Sequence, residues 1–166
     1  MGPDGEPATT SLADQLERSF RGGAWHGPAL MEVLAGVDAA TAQWRPDPSI
    51  HSVAEEVGHL AFWLEDARRQ ISGEARRAPG AEVDWGPASL ATEAAWQALC
   101  AELESAHLAL RAALLEAAGP RLEEALPGSD TTLRGLVLGI LQHNAYHAGQ
   151  MALLLRQARL AGGGRP

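Results

Sequence analysis

The chain has 166 residues and no lysine; all thirteen basic residues are arginine. Schiff-base and lysine-nucleophile chemistry are therefore excluded. The absence itself reads as the codon composition of a G+C-rich genome and carries no functional weight. Cysteine is nearly absent too. Cys100 is single, so no internal disulfide can form, in agreement with a reducing compartment. It sits in a run that reads as core helix, where an inert buried thiol is expected. Tyr and Phe number one and two, and Val and Ile are scarce beside Leu and Ala. That composition disfavours strands and favours helices. No apolar run approaches the length of a membrane span. The start, "MGPDGEPATT", is acidic and polar where a secretory signal is basic and then apolar, so the expected location is the cytoplasm. Positive charge is in deficit, with a formal net charge of −8. The pairs Arg68/Arg69 and Arg76/Arg77 are too short to form a basic patch and read as solvated helix ends and loops. A nucleic acid is not an expected partner.

The length fits one domain with a sizeable core. Residues 1–10 read as a disordered leader, 11–160 as a single helical domain and 161–166 as a flexible tail. Ser11 is a plausible cap for a first helix that ends at Gly22-Gly23, either a bend within one arm or a true loop. "AWHGPALMEVLAGV" follows, with Leu30, Val33, Leu34 and Val37 at helical spacing. Ser52 and Glu55 form a capping box ahead of the stripe Val53, Val57, Leu60, Leu64, Ala67 and Ile71, which Gly73 terminates. Residues 73–89 are a Gly/Pro-rich loop, long enough to be functional or to cover a site. The longest helix is expected at about 89–118, with Leu99, Leu103, Ala106, Leu110, Ala113 and Ala117 buried. "PGSDTT" caps a last helix running to about Ala158. Four main helices with one long connection predict an all-α four-helix bundle.

The last helix holds the chemistry. Leu133, Leu136, Ile140, His143, His147, Gln150 and Leu154 alternate in spacings of three and four, the register of a bundle seam. Three polar residues thus occupy consecutive core positions, and burying even one unpaired costs about 1–3 kcal/mol. A metal satisfies them well, because residues four apart share a helical face and two neutral imidazoles there can point at one ion. Alone, the pair reads equally well as two hydrogen-bonded core or rim histidines. His26, His51, His59 and His107 compete for a third position. His59, on the flank of its stripe beside Glu56 and Trp63, is the best placed, although a lone histidine there is usually a rim residue. His26 is a candidate fourth ligand or substrate contact, with a solvated helix-end ring as the plainer reading. His51 and His107 read as solvated.

At these residues the chain resembles the DinB/YfiT-like superfamily. "HSVAEEVGHL" and, much later, "HNAYHAGQM" carry the likeness, with "AWHGPALMEVL" upstream, and it spans about Leu12 to Ala158. The resemblance implies a four-helix bundle with a long crossover, often dimeric, in which three histidines bind a divalent metal; here they are His59, His143 and His147. Many relatives carry Asp after the first histidine of the last-helix pair, where this chain has Asn144, which hydrogen-bonds without supplying charge. Three neutral histidines leave a metal position open, an arrangement that suits catalysis. Zinc is the first expectation, with nickel or iron also accepting imidazoles. By resemblance, the leading function is a metal-dependent transferase using a small thiol such as bacillithiol or mycothiol. Hydrolysis of a small substrate, a non-catalytic metal-binding stress-response protein and a protein-interaction module are the alternatives. Glu56 is a candidate base or outer acceptor, although a salt-bridged surface carboxylate is the plainer reading. Gln150 is a candidate partner for a bound water or a seam filler. Trp25, Trp63 and Trp85 are candidate pocket walls, while Trp44 and Trp96 read as bundle packing.

Overall fold

The structure is a computed structural model that describes residues 8–77, 84–85, 90–117 and 119–162. Most of the expected leader, part of the loop after Gly73 and most of the expected tail lie outside the described residues. The chain forms α1 (Ala8–Arg21), α2 (Leu30–Leu34), α3 (Ala39–Gln43), α4 (Val53–Ile71), α5 (Glu93–Glu116) and α6 (Leu133–Ala161), with a short 3₁₀ turn at Gly119–Glu123. It is all-α, and no strand occurs among the described residues. No helix there is long and apolar enough to cross a membrane.

Local chemistry explains most of the boundaries. Ser52 accepts from the Glu55 amide, and the Glu55 carboxylate accepts from the Ser52 amide at 2.7 Å, so the expected capping box starts α4. Thr92 and Thr132 cap α5 and α6 in the same way, accepting from Ala95 and Gly135. Gly73, with φ of 88°, stands just past the end of α4, a left-handed position that favours glycine. The Gly22-Gly23 break is a true loop, since Gly23 has φ of 81°. α1 begins at Ala8, three residues before the expected Ser11 cap. The segment after the loop is a single short helix, and α3, capped by Asp38 on the Thr41 amide, was not anticipated.

The four long helices close the bundle. α4 packs on α5 and α6, and α1 packs on the same two. Among the described residues no Cα of α1 comes within 8 Å of a Cα of α4, nor one of α5 within 8 Å of one of α6, so each forms a diagonal pair, while α2 and α3 bridge between the long helices. Leu and Ala fill the interior, with Phe20 and Trp96 as its largest members. The Trp96 indole N–H donates to the Val37 carbonyl at 2.7 Å, tying the α2–α3 connection to α5.

One residue on α5 and one row on α6 sit differently from the sequence expectation. His107 is fully buried. Its ring stacks on Phe20 at 3.8 Å, and its Nε2–H donates to the Glu17 carboxylate at 3.0 Å, so a polar bond joins α1 to α5. On α6 the buried stripe is Leu133, Val137, Ile140, Asn144, His147, Met151 and Leu154. It shares alternate members with the expected seam, but the core takes the row Val137/Asn144/Met151. The row Leu136/His143/Gln150 lies at the edge, half-buried. Both rows satisfy the same three-four spacing, and the pattern alone does not choose between them.

Burial holds His107 below its ordinary pKa against the opposing pull of Glu17, and the hydrogen bond from His107 holds Glu17 low. An unfolded chain protonates its histidines near pH 6.5. Below that pH, therefore, unfolding takes up a proton that the folded protein resists, and stability falls with pH. The melting temperature of the metal-free protein is expected to drop between pH 7.5 and 5.5, less steeply in His107→Gln; thermal melts across that range check both.

Candidate metal centre

α4 supplies His59, and α6 supplies His143 and His147 from successive turns. Because α4 and α6 are packed neighbours, the three rings meet. The Nε2 atoms of His59 and His147 each lie 3.0 Å from that of His143, and one ring nitrogen from each residue lies within 4.8 Å of the others. His59 and His147 are buried and His143 half-buried.

The outer ring nitrogens set what the inner ones can do. His59 Nδ1 is 2.8 Å from the backbone carbonyl oxygen of Asp84. A carbonyl only accepts, so Nδ1 carries the hydrogen. His147 Nδ1 likewise donates to the buried carboxylate of Glu56. In the neutral form, each of these rings has its Nδ1 hydrogen spent in this way and a bare Nε2 lone pair facing His143 Nε2. His143 can place one hydrogen there and satisfy one of them; the other lone pair then stands 3.0 Å from a nitrogen with no second hydrogen to give it. A single cation among the three nitrogens removes that conflict. Burial, with His147 and His59 adding to it, pushes the His143 pKa down to about 4, and burial also lowers that of His59. Both rings are neutral near pH 7, the form in which imidazole binds a metal. The donor set therefore fits a divalent ion, with nitrogen ligands oriented by outer hydrogen bonds.

A loop segment covers the cluster. Trp85 stacks on the His59 ring at 4.2 Å and on His51 at 3.6 Å. The Asp84 carboxylate accepts the Trp63 indole N–H at 2.8 Å and lies 3.2 Å from His59 Nδ1. Asp84 was missed from sequence. The only signal for it was the length of the loop it belongs to. His51 is half-buried against Trp85 rather than solvated, and it lies 3.6 Å from Glu55, which also pairs with Arg45 at 2.8 Å.

A cavity of 420 Å³ adjoins the cluster, walled by His59, Trp63, Leu136, Ile140 and His143, with Asp66 and Arg76 also on its lining. Its size suits a small molecule. Trp63 stands on the wall of this cavity. Glu56 is 4 % exposed; it is no surface carboxylate, and its engagement with His147 makes it an outer acceptor.

Other candidates lie elsewhere. Trp25 and His26 are exposed and border a separate cavity with Leu141, not the one that His59 and His143 wall. Gln150 donates to the hydroxyl of exposed Tyr146 at 3.0 Å, while its Oε1 is buried without a partner among the described residues. Asn144 is 1 % exposed with neither amide atom partnered. It lies on the core row of α6 and makes no hydrogen bond to a histidine.

Removing the Glu56 carboxylate charge leaves His147 with a weaker acceptor and a freer tautomer. Glu56→Gln is expected to lower affinity for a divalent ion about 10- to 100-fold while leaving the helical content intact. Competition with a chelator of known affinity measures this.

A family model described as the DinB superfamily matches residues 24–151, most of the chain and all three histidines. Comparison with curated proteins and with solved structures gave no significant match. The helical bundle, the three converging imidazoles and this match agree, and the chain belongs to the DinB superfamily.

Proposed function

We propose that the protein is a divalent-metal-dependent enzyme that transfers a small thiol of the bacillithiol or mycothiol kind to an electrophilic substrate. The observation that carries this reading is the meeting of three Nε2 atoms, two of them oriented by their own Nδ1 bonds, at the wall of a cavity sized for a small molecule. His59, His143 and His147 would hold a divalent ion there, and that ion would supply Lewis acidity toward the sulfur of a thiol. Zinc is the first choice for this donor set, and nickel or iron take the same ligands.

The residues around the site hold and orient. Glu56 and Asp84 fix two of the three rings; Trp85 shields one of them from solvent on its stacked face. Trp63, Leu136 and Ile140 offer apolar surface to the substrate. In the transfer the S–H proton goes to solvent, sulfur forms a bond to the electrophilic carbon, and the leaving group departs with its electron pair.

The carboxylates favour the thiol over hydrolysis. Water has a pKa of about 15.7 and benefits from a protein base, whereas a thiol ionises near 8.5. Glu56 is committed to His147. Asp66 accepts from the Gln70 side chain and the Arg77 amide, both at 2.8 Å, and Asp84 accepts from Trp63. No carboxylate among the described cavity residues is free to take a proton.

Metal analysis is expected to find one divalent ion per chain in the wild type and a large loss of it in His143→Ala. In the cobalt-loaded protein, a small thiol is expected to raise a sulfur-to-metal charge-transfer band. A metal that binds while the spectrum ignores every thiol offered overturns the transferase reading; a protein indifferent to chelation overturns the metal reading as well.

A further inference from the structure

We propose that Arg76 is the specificity-determining residue of the cavity and that the ligand it selects carries a carboxylate at the end remote from the metal centre. The protein as a whole is acidic, yet this cavity is not. The two charged side chains on its described lining are Asp66 and Arg76. Asp66 is fully buried, already receives the Gln70 amide and the Arg77 backbone N–H, and has the Arg77 guanidinium 3.8 Å away. Arg76 has no carboxylate partner among the described residues. Its guanidinium lies over the Trp63 ring, 5.3 Å from the ring centre, a contact that fixes a cation without neutralising it.

The geometry couples this cation to the histidines. The Trp63 ring centre is 6.4 Å from that of His143 and 6.2 Å from that of His59, so the guanidinium and the metal centre stand one indole apart on a shared cavity. The indole is held in place by its N–H bond to Asp84. The backbone beside Arg76 is held by the Arg77 amide on Asp66, and the Arg77 side chain lies over Phe62 at 4.8 Å. A planar guanidinium presents paired donors that match a carboxylate. A ligand of this size with a soft donor at one end and a carboxylate at the other engages both positions, and Trp63, Leu136 and Ile140 give its middle apolar surface.

The inference rests on the thiol reading only for the ligand's metal-bound end, and the test separates the two. The zinc-loaded protein is titrated calorimetrically with N-acetylcysteine, with its neutral amide and with sulfur-free N-acetylalanine. The wild type is expected to bind the acid about tenfold to a hundredfold tighter than the amide, the range of a charge-assisted hydrogen bond. Arg76→Gln is expected to erase that preference without changing affinity for the amide, and Arg76→Lys to restore part of it. Arg76 is exposed beyond the end of α4, so both variants should keep the fold, which circular dichroism checks. A wild type that does not distinguish acid from amide, a preference that survives in Arg76→Gln, or no binding of either acid overturns the proposal. Equal, Arg76-dependent binding of N-acetylcysteine and N-acetylalanine supports Arg76 and overturns the thiol reading.

Discussion

Two imidazole rings whose outer nitrogens are both spent as donors constrain everything around them. Asp84 takes the hydrogen of His59 and Glu56 takes that of His147, so the inner nitrogens have only lone pairs to offer. Neighbouring lone pairs repel, and the low dielectric of a bundle interior strengthens that repulsion. A protein that buries such an arrangement incurs a cost that one shared proton cannot fully offset. A cation at the meeting point converts the cost into binding energy. The site is therefore built against its own stability in the metal-free form, as is common where function and not packing selects the residues.

The fold makes the arrangement possible by burying α4 almost all the way round. One face meets α5 and α6. Near Asp84 and Trp85, the flank with His59 is covered by the connection to α5. That cover turns a stripe-edge residue into a buried one. It also brings a carbonyl, a carboxylate and the Trp85 indole to a region that four bare helices would leave open to water. Trp63 belongs to both halves of the design: Asp84 anchors its N–H, and its ring carries Arg76.

Much of this was legible from sequence, for identifiable reasons. The α4 boundary followed from Ser52 and Glu55, whose reciprocal bonds are local. The α4 stripe was recovered whole, because its apolar spacing admitted one register. The pairing of His143 with His147 followed from helix geometry, and His59 from its position beside a stripe. What failed was not local. α6 offered two rows with the same three-four spacing, and only the neighbouring helices decide that Val137, Asn144 and Met151 face inward while Leu136, His143 and Gln150 lie at the edge. His107 looked solvated because its partners, Glu17 and Phe20, lie on another helix. Glu56 looked like a surface carboxylate because its partner lies 91 residues away. Asp84 carried no periodic signal at all, and sequence position beside a helix start does not say which cavity Trp25 and His26 border.

The central claim concerns which nitrogens carry hydrogens and which face the metal. Long-range proton–nitrogen correlation spectra of the histidine-labelled protein read both directly. In the metal-free form, His59 and His147 are predicted to be Nδ1–H tautomers. One equivalent of zinc is then predicted to shift the Nε2 signals of His59, His143 and His147 and to leave those of His26, His51 and His107 in place. A hydrogen on Nε2 of both His59 and His147, or zinc that moves a different set of histidines, would contradict the account.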